Sequence, residues 1–406
     1  MPVEVQINPK ILSWARETAG LEPEEAAVKL GLKSTKKATA ADKLLQVENG
    51  ERPIGRGMLE KAVSVYRRPL VSFYLPHPPP RGERGEDYRT VKEATRPQEN
   101  ADVDALIRDI RTRQQLLREA LLEDEDRPQL GFVSSCNPKD GFKFVENSIR
   151  NVLKITAADQ TGARDTKALF QLLRNAAESA GVFVLLVGDL GSYHSDISED
   201  VFRGIALADN VAPFVVINDN DAVAARSFTL IHELAHIWIG ASGVSGPIRA
   251  TEDNKLELFC NSVAGEFLLP ESALAELSFS RKEKLNFDDA LEITITIGKA
   301  WNISQAVVAF RLHEEGFITN IVAGKLFTFF SERWKTEKSR KKESKATDEA
   351  GPSYYLVRRS RLGIGLLNSV RGALESEALT HTKAARILGV APTSVNTLLQ
   401  ERQRIR

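Results

Sequence analysis

From Pro9 to about Leu75, apolar residues recur at spacings of three and four: Ile11, Leu12, Trp14 and Ala15, then Ala26, Ala27 and Leu30, then Leu44, Leu45 and Val47. That period puts each set on one helix face and predicts a series of short packed helices. Pro76 to Gly85 breaks the pattern with prolines, glycines and charges and reads as a stiff linker. Helical spacing returns from Asp102 to Leu122 and stops at the acidic run Glu123 to Asp126. Beyond residue 140 the pattern alternates between two periods. Thr166 to Ala180 reads as an amphipathic helix, whereas Val182 to Val187, Phe202 to Leu207 and Phe214 to Asn218 read as buried strands of a small sheet. The polar cluster Asn218 to Asp221 then predicts a helix start, and Gly240 its end. Glu332 to Lys345 is lysine-rich and nearly free of apolar residues, which predicts a solvated tail or linker. Gly351 to Arg406 is helical again.

The expected class is therefore α+β, divided as a helical domain over 1–80, a linker with a connecting helix over 81–139, a mixed domain over 140–345 ending in a basic linker, and a helical module over 346–406. The 406 residues, 42% hydrophobic and 27% charged, suit folded domains rather than a disordered chain. Lys plus Arg equals Asp plus Glu at 55 each, so a uniformly basic nucleic-acid coat is excluded and any such contact must be local. Two cysteines, Cys136 and Cys260, are too few for a disulfide framework and predict a reducing, cytoplasmic setting. The first residues lack a secretory pattern, and no apolar run approaches the ~18 residues of a membrane span.

One motif carries chemistry. His232-Glu233-Leu234-Ala235-His236 fits H-E-x-x-H within the helix that follows Asp221. At i and i+4 both imidazoles leave one helix face and can share a Zn²⁺ ion, while the intervening Glu233 is placed as general base. The neighbours Leu230, Ile231, Leu234, Ile237 and Trp238 predict a largely buried helix, where unpartnered imidazoles and a carboxylate would be costly. A third ligand is expected from a following helix, marked by Leu256, Phe259, Val263, Phe267 and Leu268. Two acids compete there, Glu257 and Glu266. Gly240 to Gly243 follows the motif, so the second histidine of a metzincin is missing and a carboxylate is preferred.

The motif with its surroundings resembles the ImmA/IrrE-type metallopeptidases. The matching residues are Phe202 to Asp209, Pro213 to Asn218, Ala225 to His236, then Glu257, Cys260, Asn261, Ala264 and Leu268 to Pro270. The resemblance implies a zincin-like domain and maps the third ligand to Glu257, with Cys260 and Val263 departing from the family's usual Ala and Phe. It also implies an extended substrate paired with a sheet edge, for which Phe214, Val215, Val216, Ile217 and Asn218 are the candidates. A plain core strand is the competing reading. Tyr193, His194 and Arg226 are polar candidates for oxyanion stabilisation, without a deciding pattern. His313 reads as a helix end.

The flanks add a second theme. Thr382 to Leu398 has a small residue at Ala385, a turn glycine at Gly389 and apolar positions on a second helix, as in a helix-turn-helix, with Arg386, Arg402, Arg404 and Arg406 nearby. The first segment resembles an XRE-type repressor domain through Leu12 to Arg16, Glu24 to Gly31, Val47 to Gly50 and Arg68 to Leu70. Lys33 to Ala38 makes its turn longer than that pattern. Lys33, Lys36, Lys37, Lys43 and Arg386 are candidate phosphate contacts, or solvated surface charges. The resemblance implies a zinc endopeptidase that cleaves a helix-turn-helix repressor. The alternatives are a DNA-binding regulator with a structural or sensory zinc, and a toxin–antitoxin or defence-system component that binds a partner without cleaving it. An oligomer is compatible with each.

Overall fold

The computed structural model describes residues 4–5, 7–79, 86–87, 97–191, 195–245, 255–275, 284–345 and 353–400. Most of the expected linker over Pro76 to Gly85, and Arg402, Arg404 and Arg406, lie outside them. The chain divides into two compact units: residues 1–84, 91–109 and 189–197 form one, and 85–90, 110–188 and 198–406 the other.

The first unit opens with the two-residue strand β1 (Glu4–Val5) and the helices α1 (Pro9–Thr18), α2 (Pro23–Lys29) and α3 (Ala40–Glu48). Strand β2 (Ile54–Gly55), paired with β1, leads into α4 (Arg56–Val65) and a 3₁₀ turn over Leu70–Tyr74. Helix starts follow the side chains: Asn8 accepts the Lys10 N–H at 3.0 Å, and Thr39 exchanges bonds with Asp42 in a capping box. Ile11, Leu12, Leu44, Leu59 and Phe73 form a closed core. Arg16 and Glu48 are buried beside it, joined from Nε at 2.9 Å and Nη2 at 3.0 Å.

The second unit is built on a mixed sheet. Its strands are β3 (Glu86–Asp87), β4 (Phe183–Leu186), β5 (Gly204–Leu207), β6 (Phe214–Ile217) and β7 (Gly243–Ser245), in the spatial order β3-β7-β5-β6-β4. β5 runs antiparallel to both β6 and β7, whereas β4 is parallel to β6. Helix α5 (Pro97–Leu122), which belongs to this unit from Ile110 onward, is followed by α6 (Phe142–Leu153), α7 (Ala157–Thr161), α8 (Thr166–Ser179) and α9 (Val223–Trp238). α9 packs on β5 and β6 and also on α6, α8 and α10 (Lys255–Leu268). A helix enclosed on this many sides must be apolar nearly all round, which explains its unbroken run of buried residues from Ser227 to Trp238.

Two sequence expectations are corrected here. Phe214 to Asn218 is not a sheet edge: β6 lies between β5 and β4, so its backbone groups are engaged on both sides and no peptide can pair with it. After α11 (Glu271–Ala275), α12 (Phe287–Ala300) and α13 (Gln305–Glu314), the lysine-rich stretch 332–345 continues α14 (Asn320–Lys345) rather than forming a linker. Tertiary contacts hold it there. The Trp334 indole donates to Glu199 at 3.2 Å, and Lys338 donates to the same carboxylate at 2.6 Å and to the Asn220 carbonyl at 3.1 Å.

The C-terminal helices α15 (Tyr354–Leu362), α16 (Ile364–Glu375), α17 (His381–Leu388) and α18 (Val395–Gln400) group with the second unit. Arg174 on α8 explains part of this, because its guanidinium donates to the Val184 carbonyl on β4 and to the Ser360 carbonyl on α15, each at 2.6 Å.

Candidate metal centre

The turn before α9 organises itself first. Asn218 accepts the Asn220 N–H at 3.0 Å and Asp221 accepts the Ala222 N–H at 2.7 Å, so the predicted polar cap shapes the approach while Ala222 is the capping residue. One turn separates His232 from His236, which brings their Nε2 atoms to 3.1 Å. Glu257, in the first turn of α10, reaches both: Oε2 is 3.2 Å from His232 Nε2 and Oε1 is 2.9 Å from His236 Nε2. All three side chains are buried, and their donor atoms lie within 4.8 Å of one another. Donors about 2.0–2.1 Å from a tetrahedral zinc are about 3.3 Å apart, so these residues fit such an ion.

Electrostatics point the same way. Burial opposes ionisation of Glu257, yet His232 and His236 outweigh it and hold the carboxyl down at about 2. Burial likewise opposes the charged form of His232, and Glu257 reverses the balance and raises its pKa. Glu233, fully buried, is pushed up to about 8 by that burial, aided by the Glu257 charge. A hydrogen bond with the Ser245 hydroxyl pulls the other way. Two acids enclosed with two imidazoles form a donor set suited to a positive ion.

The sheet makes room for this acid. A Cβ built on Gly204 would run into Glu233 Oε1, so any other residue at that position of β5 would collide with the carboxylate. Ser245, at the end of β7, is paired across the strands with Gly204 and puts its Oγ 3.2 Å from His232 Nε2. Sequence reasoning passed over both residues. The only available signals were a glycine opening a strand and a serine beyond the motif helix, and neither marks a site without the strand pairing.

Residues 184–313 match the family model for the IrrE N-terminal-like domain, Peptidase_M78. No curated protein and no solved structure matches the chain. The matched span runs from β4 to α13 and contains both histidines, Glu233 and Glu257, so a metallopeptidase of the ImmA/IrrE type is supported and a protein substrate is implied. No helix among the described residues is long and apolar enough to cross a membrane.

Within the matched span the other candidates separate. Glu266 is engaged elsewhere: it pairs with the fully buried Arg311 and accepts the Glu271 N–H at 3.2 Å. Arg226 turns away from the centre, donating to the Asp219 carbonyl at 2.8 Å. Tyr193 and His194 lie outside the described residues. His313, in the last turn of α13, is partly exposed and belongs to no donor group among the described residues. In the flanking segments, Lys33, Lys36, Lys37 and Arg386 are exposed, and Lys43 donates to the Lys33 carbonyl at 2.6 Å.

Proposed function

We propose that this chain is a zinc-dependent endopeptidase that cleaves a cytoplasmic regulatory protein of the helix-turn-helix repressor class and so derepresses genes. The observation that carries the reading is the meeting of His232 Nε2, His236 Nε2 and the Glu257 carboxylate at 2.9–3.2 Å, with Glu233 enclosed beside them. His232, His236 and Glu257 would hold the ion, whose chemistry is Lewis-acid polarisation of a peptide carbonyl. Glu233 then acts as general base. Its carboxylate takes the proton of the attacking water and returns it to the leaving amine nitrogen.

Metal analysis of the full chain should give one zinc per molecule. Glu233→Gln should retain that zinc and reduce cleavage of a co-expressed repressor by about 10²- to 10⁴-fold, the usual contribution of a general base. Folded protein that stays metal-free in the presence of zinc would sink the proposal.

A second reading, DNA binding, is favoured by the C-terminal geometry. α17 and α18 enclose a tight turn at Gly389, whose φ of +61° suits a residue without a side chain, and Arg386 is exposed beside it. Anisotropy titrations with duplex DNA at two salt concentrations test it, because phosphate contacts weaken steeply as salt rises.

A further inference from the structure

We propose that α14 is the contact surface of a two-fold homodimer, its exposed face packing antiparallel on the same helix of a second copy. α14 lies beyond residues 184–313, the span matched by the family model.

Ile321, Lys325, Thr328 and Glu332 follow one another at spacings of four, three and four, so they form one stripe along this helix, and all four are exposed. The stripe borders a groove of about 650 Å³, which Phe329 and, from α12, Phe287 also line. Apolar surface lies open here. Ile321 is 72% exposed and Phe329 38%, while Phe287 supports Phe329 edge-on at 6.1 Å between ring centres. A Cβ on Gly324 would meet nothing within 4 Å, so a second helix has room to approach.

The charges select the occupant. Lys325 and Glu332 have no ionic partner among the described residues. Seven residues separate them, about 10 Å along the axis, and they point in nearly the same direction. A two-fold axis between Thr328 and Phe329 runs two such helices antiparallel and brings each Lys325 to the Glu332 of the other copy. The contact forms twice, as a self-complementary patch requires. The same axis lays Phe329 against Thr328 of the second copy at the centre. A parallel pair would instead set Lys325 on Lys325 and Glu332 on Glu332, so the pattern fixes the orientation as well as the partner. A net charge of zero adds no overall repulsion between copies.

Sedimentation velocity of the full chain over a concentration series tests the assignment. The wild type should pass from monomer to dimer as concentration rises. Phe329→Asp should weaken the dimer by about 10²-fold, since it places a charge at the centre of the interface. Lys325→Glu should weaken it about 10-fold, because both attractive pairs become repulsive. Adding Glu332→Lys to Lys325→Glu restores opposite charges across the axis and should return the wild-type affinity. A face that serves only solubility gives no such recovery. A wild type that stays monomeric at every concentration, a dimer that neither single variant weakens, or a double variant no tighter than Lys325→Glu would overturn the proposal.

Discussion

Helix α10 carries two buried glutamates with opposite fates. Glu257, in its first turn, faces two imidazoles, while Glu266, near its end, faces Arg311. Arg311 is fully enclosed and spreads its charge over Glu266, Glu314, Glu315 and the Leu269 carbonyl, so that cluster already contains its cation. Burial nevertheless lifts the Glu266 carboxyl, and Arg311 pulls against that rise. Glu257, by contrast, meets the imidazoles of His232 and His236. An acid held by a guanidinium is part of the scaffold, and an acid that meets two imidazoles belongs to a set of metal-ligating types.

The sharpest way to break this comparison is to exchange each acid for its amide. Glu257→Gln should abolish zinc retention while far-ultraviolet circular dichroism stays helical, and Glu266→Gln should keep its zinc and lose stability. The reverse pattern in metal analysis would transfer the ligand role to Glu266. Arg311→Met comes next in size. It leaves Glu266 buried without its cation, for which a loss of about 3–5 kcal/mol is expected by denaturant unfolding. A change below ~1 kcal/mol would show that this cluster does not need its charge.

Gly204→Ala should have the smallest effect on stability, about 1–3 kcal/mol from overpacking against Glu233. Cleavage should fall with zinc still bound, because the collision displaces the base rather than a metal donor. In the Gly204→Ala, Glu233→Ala double variant the stability loss should shrink, since the colliding carboxylate is gone. An undiminished loss would place the strain elsewhere.

Local signals were legible wherever neighbours in sequence decide the outcome. The i, i+4 spacing of His232 and His236, the end of their helix at Gly240 (φ +73°) and the strands near 183, 204 and 214 all depend on nearby residues. The lysine-rich end of α14 misled because its composition is that of a solvated segment. Its partners Glu199 and Asn220 lie far back in the chain, and only folding brings them to Trp334 and Lys338. The edge strand misled for a related reason: the apolar run Phe214 to Ile217 identifies a buried strand but not its neighbours.

By itself, then, the sequence determined which helix presents two imidazoles and a carboxylate, because a 3.6-residue period fixes the directions of side chains one turn apart. It also narrowed the third donor to two acids on one following helix. Only the tertiary structure sets them apart, by placing Arg311 against Glu266 and the histidines against Glu257. The same folding paired Gly204 with Ser245 at the wall of the centre. Strand order and the pairing of distant charges arise from contacts between remote segments, and no local period encodes them.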